Sequence, residues 1–216
     1  MTPGPEATEP LDLVWYVSFG SNMSSTRFAC YVSGGTPFGG ARTCPGCRDE
    51  QPPRATRPVW LAGGTYFALQ SRVWGGGMAL YDPDLPETAP GRAYLITAAQ
   101  FSDVAAQEMH RQPGEDLDLS NVIDAGRAQL GPGRYETLLC PDWLEGYPLL
   151  TFTASWRLSE VTPTAPAAAY LRMLGEGLQE SHGWSIDQTA SYLANRPGAR
   201  GTWSAEEISA VLKDEE

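Results

Sequence analysis

The sequence predicts an α+β fold, a compact domain or small barrel with helices on its outside. Two observations point there. Short apolar runs, rich in aromatic and β-branched residues, fall at residues 11–19, 59–70, 74–81 and 91–96. Helical periodicity follows them at 97–109 and dominates from Pro166 onward. The 216 residues give enough chain for one sizeable core and at most two small domains.

Residues 11–19 form a buried first strand that breaks into the turn Gly20-Ser21-Asn22. A strand ending in such a turn leaves backbone N–H groups unpaired at one point, a ready place for a carboxylate or a developing oxyanion. The plainer reading is a corner in which Gly20 serves the backbone. Residues 27–32 read as a short helix stopped by Gly34-Gly35. Residues 33–58, rich in Gly, Pro and Arg, form a long irregular insert. One or two strands follow at 59–70, and Gly75-Gly76-Gly77 leads into another. Glycine inside a strand makes sense where another backbone or a ligand comes close. Residues 91–96 alternate as a strand. Thr97 then caps a helix with Phe101, Val104, Ala105 and Met109 at helical spacing, ending before Pro113-Gly114. Strands at 135–140 and 149–152 flank a turn region at 141–148. Helices are expected at 166–178, with Tyr170, Met173 and Leu174 on one stripe, and at 185–193. Ser204-Ala205-Glu206-Glu207 has the capping-box pattern ahead of a last helix. The expected organisation is a disordered lead-in at 1–10, a main domain at 11–178 and a helical extension at 179–216.

The net charge is −11, of which residues 109–216 carry −8, and no basic stripe is present. Nucleic acid and anionic membranes are therefore not the expected partners. No apolar run approaches the roughly 18 residues of a membrane span, and the N-terminus lacks the pattern of a signal peptide. Four cysteines include the pair Cys44-Pro45-Gly46-Cys47. A structural zinc needs about four ligands, and His110 and His182 are far apart in sequence, so no metal is expected. A Pro-Gly turn flanked by thiols and a redox pair are both open readings, and a reducing cytoplasmic setting is the default.

Phe19-Gly20-Ser21-Asn22-Met23 resembles the Tyr-Gly-Ser-Asn-Leu signature of gamma-glutamylcyclotransferase-like proteins. Arg27 follows where that family usually carries an arginine. Residues 61–71 and then Trp74-Gly75-Gly76-Gly77 resemble its strand pair and second glycine-rich turn, and residues 91–95 the strand before its catalytic helix. Gln107-Glu108 falls at the end of that helix, and residues 166–175, with Tyr170, are similar to its later substrate-contacting segment. The resemblance implies a small mixed β-barrel with peripheral helices and a cavity at one end of the strands. It implies a reaction in which the α-amine of a γ-glutamyl group attacks its own γ-carbonyl, releasing 5-oxoproline and an amine or amino acid. That chemistry needs a bent substrate, one acid–base group and oxyanion donors, and no cofactor.

Glu108 is then the catalytic carboxyl, and its helix neighbours Val104, Gln107 and Met109 bring no cation to it, an environment that favours a raised pKa. Phe19, Gly20, Ser21, Asn22 and Met23 bind substrate, with Trp74, Gly76 and Tyr170 completing the cavity. Phe19 stands where the family has tyrosine, so a hydroxyl is missing. The insert, through residues 46–49 and Arg54 and Arg57, is a candidate lid over the leaving group. The competing reading is a non-catalytic small-ligand binding module on the same fold.

Overall fold

The computed structural model describes residues 12–36, 43–71 and 73–214. The expected lead-in at 1–10 and residues 37–42 of the insert lie outside the described residues. In chain order the elements are β1 (Leu13–Ser18), a 3-10 turn (Ser21–Met23), α1 (Ser25–Ser33), β2 (Ala55–Ala62), β3 (Gly64–Ala68), β4 (Met78–Asp82) and β5 (Thr88–Thr97). Then come α2 (Ala98–Glu108), α3 (Ser120–Ala125), β6 (Arg127–Gln129), β7 (Thr137–Leu144), β8 (Tyr147–Thr153), α4 (Ala168–His182), α5 (Ile186–Ala194) and α6 (Ala205–Lys213).

Six strands form one sheet in the order β2-β5-β1-β8-β7-β6, with β1 parallel to β8 and the other pairs antiparallel. β1 is central and buried along its whole length. β3 and β4 form a separate two-stranded sheet. The α+β class is as expected, but the barrel is not: among the described residues no backbone ladder joins β4 to the larger sheet. Side chains bridge that gap. The Ala79 N–H donates to Tyr170 Oη (3.2 Å), and Tyr135 Oη donates to the Ala79 carbonyl (2.9 Å). Thr153 Oγ1 accepts from the Tyr81 N–H (3.1 Å) and donates to the Tyr81 carbonyl (2.7 Å). The outer edge of β4 is thus satisfied without a neighbouring strand.

Val14, Tyr16, Phe28, Tyr94, Phe101 and Phe152 form the core between the sheet and α1 and α2. A second core joins Met23 and Phe67 to Leu171 and Leu178 of α4, Leu193 of α5 and Ile208 of α6. α4 runs past residue 178, so the division expected there falls inside a helix, and the late helices pack on the body. Residues 55–58, read as insert, belong to β2, which pairs along its whole length with β5. The turn between β7 and β8 is short, with Gly146 at φ +84, because β7 continues through Pro141 at a register shift between Leu139 and Asp142. A proline fits there because a bulge does not need its N–H. Among the described residues no helix is long and apolar enough to cross a membrane.

Candidate active site

α2 carries Glu108 as its last residue, and its start is fixed by a capping box. Thr97 Oγ1 accepts from the Gln100 N–H and Gln100 Oε1 accepts from the Thr97 N–H, both at 3.0 Å. Phe101, Val104 and Ala105 bury the inner face. This brings Glu108 to the turn after β1. Asn22 Nδ2 donates to Glu108 Oε1 (3.0 Å) and contacts Tyr16 Oη at 3.3 Å. The turn is closed by the Met23 N–H on the Gly20 carbonyl (3.0 Å), and Ser18 Oγ accepts from the Gly20 N–H (3.3 Å).

Glu108 and the turn face a cavity of about 100 Å³, several times the ~10–15 Å³ that one water needs on this measure. Phe19, Gly20, Ser21, Asn22, Trp74 and Tyr170 line it with Glu108. Gly20 has φ −119 and ψ −152, an extended conformation open to any residue. A methyl group there would sit 3.7 Å from Tyr170 Oη. The backbone therefore does not require this glycine; its effect is to leave room in the cavity.

Two expected lining residues lie elsewhere. Met23 is buried against α4 behind the turn, its carbonyl accepting from Arg92 Nη1 (3.0 Å) and Tyr94 Oη (3.3 Å). Gly76 has φ +61, and a Cβ would fall 2.5 Å from the Ala165 carbonyl oxygen, so it serves close backbone packing beside α4.

Several lining residues were not anticipated. Tyr16, Tyr31 and Tyr135 join Tyr170 around the cavity. Burial first, with the charge of Glu108 adding to it, pushes the phenols of Tyr16, Tyr31 and Tyr135 above their ordinary range. Tyr170 is pushed up to about 12, again chiefly by burial. All four therefore stay protonated at neutral pH. Tyr170, whose oxygen accepts the Ala79 N–H, keeps an O–H to donate.

The helix neighbours Val104, Gln107 and Met109 bring no cation to Glu108, but other elements do. Arg27 of α1 enters the cavity from another element. Its Nε donates to Ser21 Oγ (2.7 Å), and its guanidinium lies 5.2 Å from the Trp74 ring centre and 5.5 Å from that of Tyr31. Tyr16 was reachable from sequence, since it shares a strand face with Ser18. Tyr135, which arrives with β7, has no local signal.

The insert divides. Cys44 and Pro45 line the cavity, whereas Arg48 is tied to Asp103 of α2 (3.0 Å) and Arg57 to Glu145 (3.1 Å). Arg48 and Arg57 are thus engaged away from a leaving group. The placement of the thiols speaks against the redox reading. No disulfide joins the described cysteines, and Cys47 is buried, its Sγ donating to the Tyr31 carbonyl at 3.3 Å. Burial, then Asp103 and Asp49, pushes Cys47 up to about 12, the reverse of what a reactive thiolate needs. Among the described residues no group of three His, Cys, Asp or Glu forms a metal site.

The chain shares its fold with an uncharacterized protein from Homo sapiens. That structure matches with a TM-score of 0.50 and 13% identity over 94% of this chain and 99% of the other. A gamma-glutamyl cyclotransferase structure is similar over the same extents, with a TM-score of 0.45 and 13% identity. In sequence, the chain is 32% identical over 203 residues to Histone deacetylase 5 from Arabidopsis thaliana. The match takes in 83% of this chain and 30% of that protein, so the chain spans under a third of this curated relative. No family model matches the chain.

Proposed function

We propose that this chain is a γ-glutamyl cyclotransferase that works without metal or cofactor and releases 5-oxoproline from a small γ-glutamyl amide. The observation that carries the reading is Glu108 held 3.0 Å from Asn22 Nδ2, in one cavity with the Gly20-Ser21-Asn22 turn. The signature residues and the carboxyl, 86 positions apart in sequence, thus share one cavity, which supports the reading.

In this reading Glu108 takes a proton from the α-ammonium and makes the amine a nucleophile. The nitrogen bonds to the γ-carbon, and the carbonyl electron pair moves onto oxygen. The adduct nitrogen loses its second proton to water. The oxyanion then collapses, the bond to the leaving nitrogen breaks, and Glu108 returns its proton to that nitrogen. The turn backbone and the Tyr170 O–H are the donors offered to the oxyanion. Ring closure is fast only from a bent conformer, which a small cavity favours.

The test is 5-oxoproline release from γ-glutamyl amines, γ-glutamyl amino acids and glutathione, with Glu108→Gln in parallel. Wild type is expected to turn over at least one of these, and the variant to lose on the order of 10²- to 10⁴-fold in kcat. An unchanged rate in the variant, or no release from any compound, would overturn the reading. A binding module without catalysis draws on Phe19, whose ring leans on Tyr81 at 5.5 Å and brings no hydroxyl to the cavity. That alternative predicts binding of the same compounds without release.

A further inference from the structure

The proposed mechanism leaves Arg27 without a task, yet its environment is unusual. The residue is 6% exposed. Its Nε is used on Ser21 Oγ, but Nη1 is buried and has no hydrogen-bond partner among the described residues. No described carboxylate forms an ion pair with it. A buried charge with an unused donor is unfavourable. The Trp74 and Tyr31 rings offset part of that, but a ring face gives Nη1 no acceptor in line. The same cavity contains an unpaired acceptor of opposite character, the buried Asn22 Oδ1. A preformed cation and a preformed acceptor together match a zwitterion.

We infer that Arg27 binds the α-carboxylate of the glutamyl group, with Asn22 Oδ1 receiving its α-ammonium. The assignment to this end of the substrate rests on the cyclotransferase reading and on one point of geometry. An α-carboxylate and an α-amine share a carbon, so the groups that hold them must be neighbours. Arg27 is held by Ser21, and Glu108, which must reach the amine, is held by Asn22, the next residue. Arg27 thus sets specificity for a free α-carboxylate and positions the amine beside Glu108.

The test compares binding of 5-oxoproline with binding of its carboxamide, which differs only at the carboxylate. Wild type is expected to prefer the acid by on the order of 10- to 100-fold, the worth of one buried charge-assisted pair. The preference should vanish in Arg27→Gln and return in part in Arg27→Lys. With turnover substrates, Arg27→Gln should raise KM far more than it lowers kcat. Absence of the preference in wild type, or its survival in Arg27→Gln, overturns the inference. The wild-type comparison stands even if the variant fails to fold. The two readings fail separately. Release of 5-oxoproline without acid preference removes the role of Arg27 and keeps the reaction. Acid preference lost in Arg27→Gln, without release from any γ-glutamyl compound, removes the reaction and keeps the carboxylate site.

Discussion

Gly20 and Gly76 look alike in the sequence, each inside a glycine-containing turn beside an apolar strand, and the structure gives them opposite work. Gly20 is extended, with its nearest neighbour 3.7 Å from a would-be Cβ, whereas Gly76 has φ +61 and a backbone oxygen at 2.5 Å. Gly20→Ala should therefore fold with an unchanged Tm while its methyl group crowds the cavity and raises KM. Gly76→Ala should lower stability by more than about 1 kcal/mol, from strain and collision together. Thermal melts and 5-oxoproline assays of the two variants check this, and equal melting losses would refute it. Spacing alone could pick out the glycines but not sort them, because the sorting depends on backbone angles and on residues 165–170. Arg27 shows the same limit. Its place after the signature is visible in the chain, but the absence of a partner for Nη1 among the described residues depends on everything else that surrounds it.

Elements with strong local signals were legible. Thr97 and Ser204 begin α2 and α6 with capping boxes, and the glycine pair at 34–35 ends α1. α3 and β6, with 6 and 3 residues, are too short for periodicity to register, and the bulge in β7 has no local mark beyond Pro141. Two helices test how elements place the site. Thr97→Ala removes a cap about three turns from Glu108. It should lower stability by about 1 kcal/mol and leave kcat of the folded protein intact. Gly177 lets α4 close on the turn, since a Cβ would lie 2.6 Å from Met23 Cβ and 2.9 Å from the Ser24 nitrogen. Gly177→Val should lower stability by about 1–3 kcal/mol and also reduce kcat, because the strain falls on the segment bearing Asn22. Urea midpoints and turnover, measured on both, separate the two effects; full activity in folded Gly177→Val would sink the second.

At the scale of the molecule, the many buried phenols make stability sensitive to alkali. Tyr66, Tyr81 and Tyr170 are pushed up to about 12, mainly by burial, and burial also raises Tyr16, Tyr31 and Tyr135 well above their ordinary range. In the unfolded chain each phenol ionises near 10. The folded state thus keeps protons that the unfolded state gives up. The stability from these groups is complete below about pH 10 and is lost as pH rises from there through the folded values. The urea midpoint should hold steady to about pH 9 and fall steeply by about pH 11, with the phenolate absorbance of these six tyrosines rising only as unfolding proceeds. Normal titration of all nine tyrosines near 10 without loss of the midpoint would contradict this. The α+β class was legible from the order of apolar runs. The open gap between β4 and β8 was not, since it is spanned by hydroxyls whose meeting point no local pattern specifies.

That gap also bears on how the chain assembles. The hydroxyls that satisfy the edge of β4 come from Tyr135, Thr153 and Tyr170, separated in sequence from their partners by 56, 72 and 91 residues. During synthesis the β3–β4 hairpin emerges well before any of them. Until they arrive it presents bare amides and carbonyls to whatever strand is near, including the same segment of another chain. The edge that is closed by side chains in the finished protein is thus, for a nascent chain, a place exposed to mispairing, and it is sealed only after most of the polypeptide has been made.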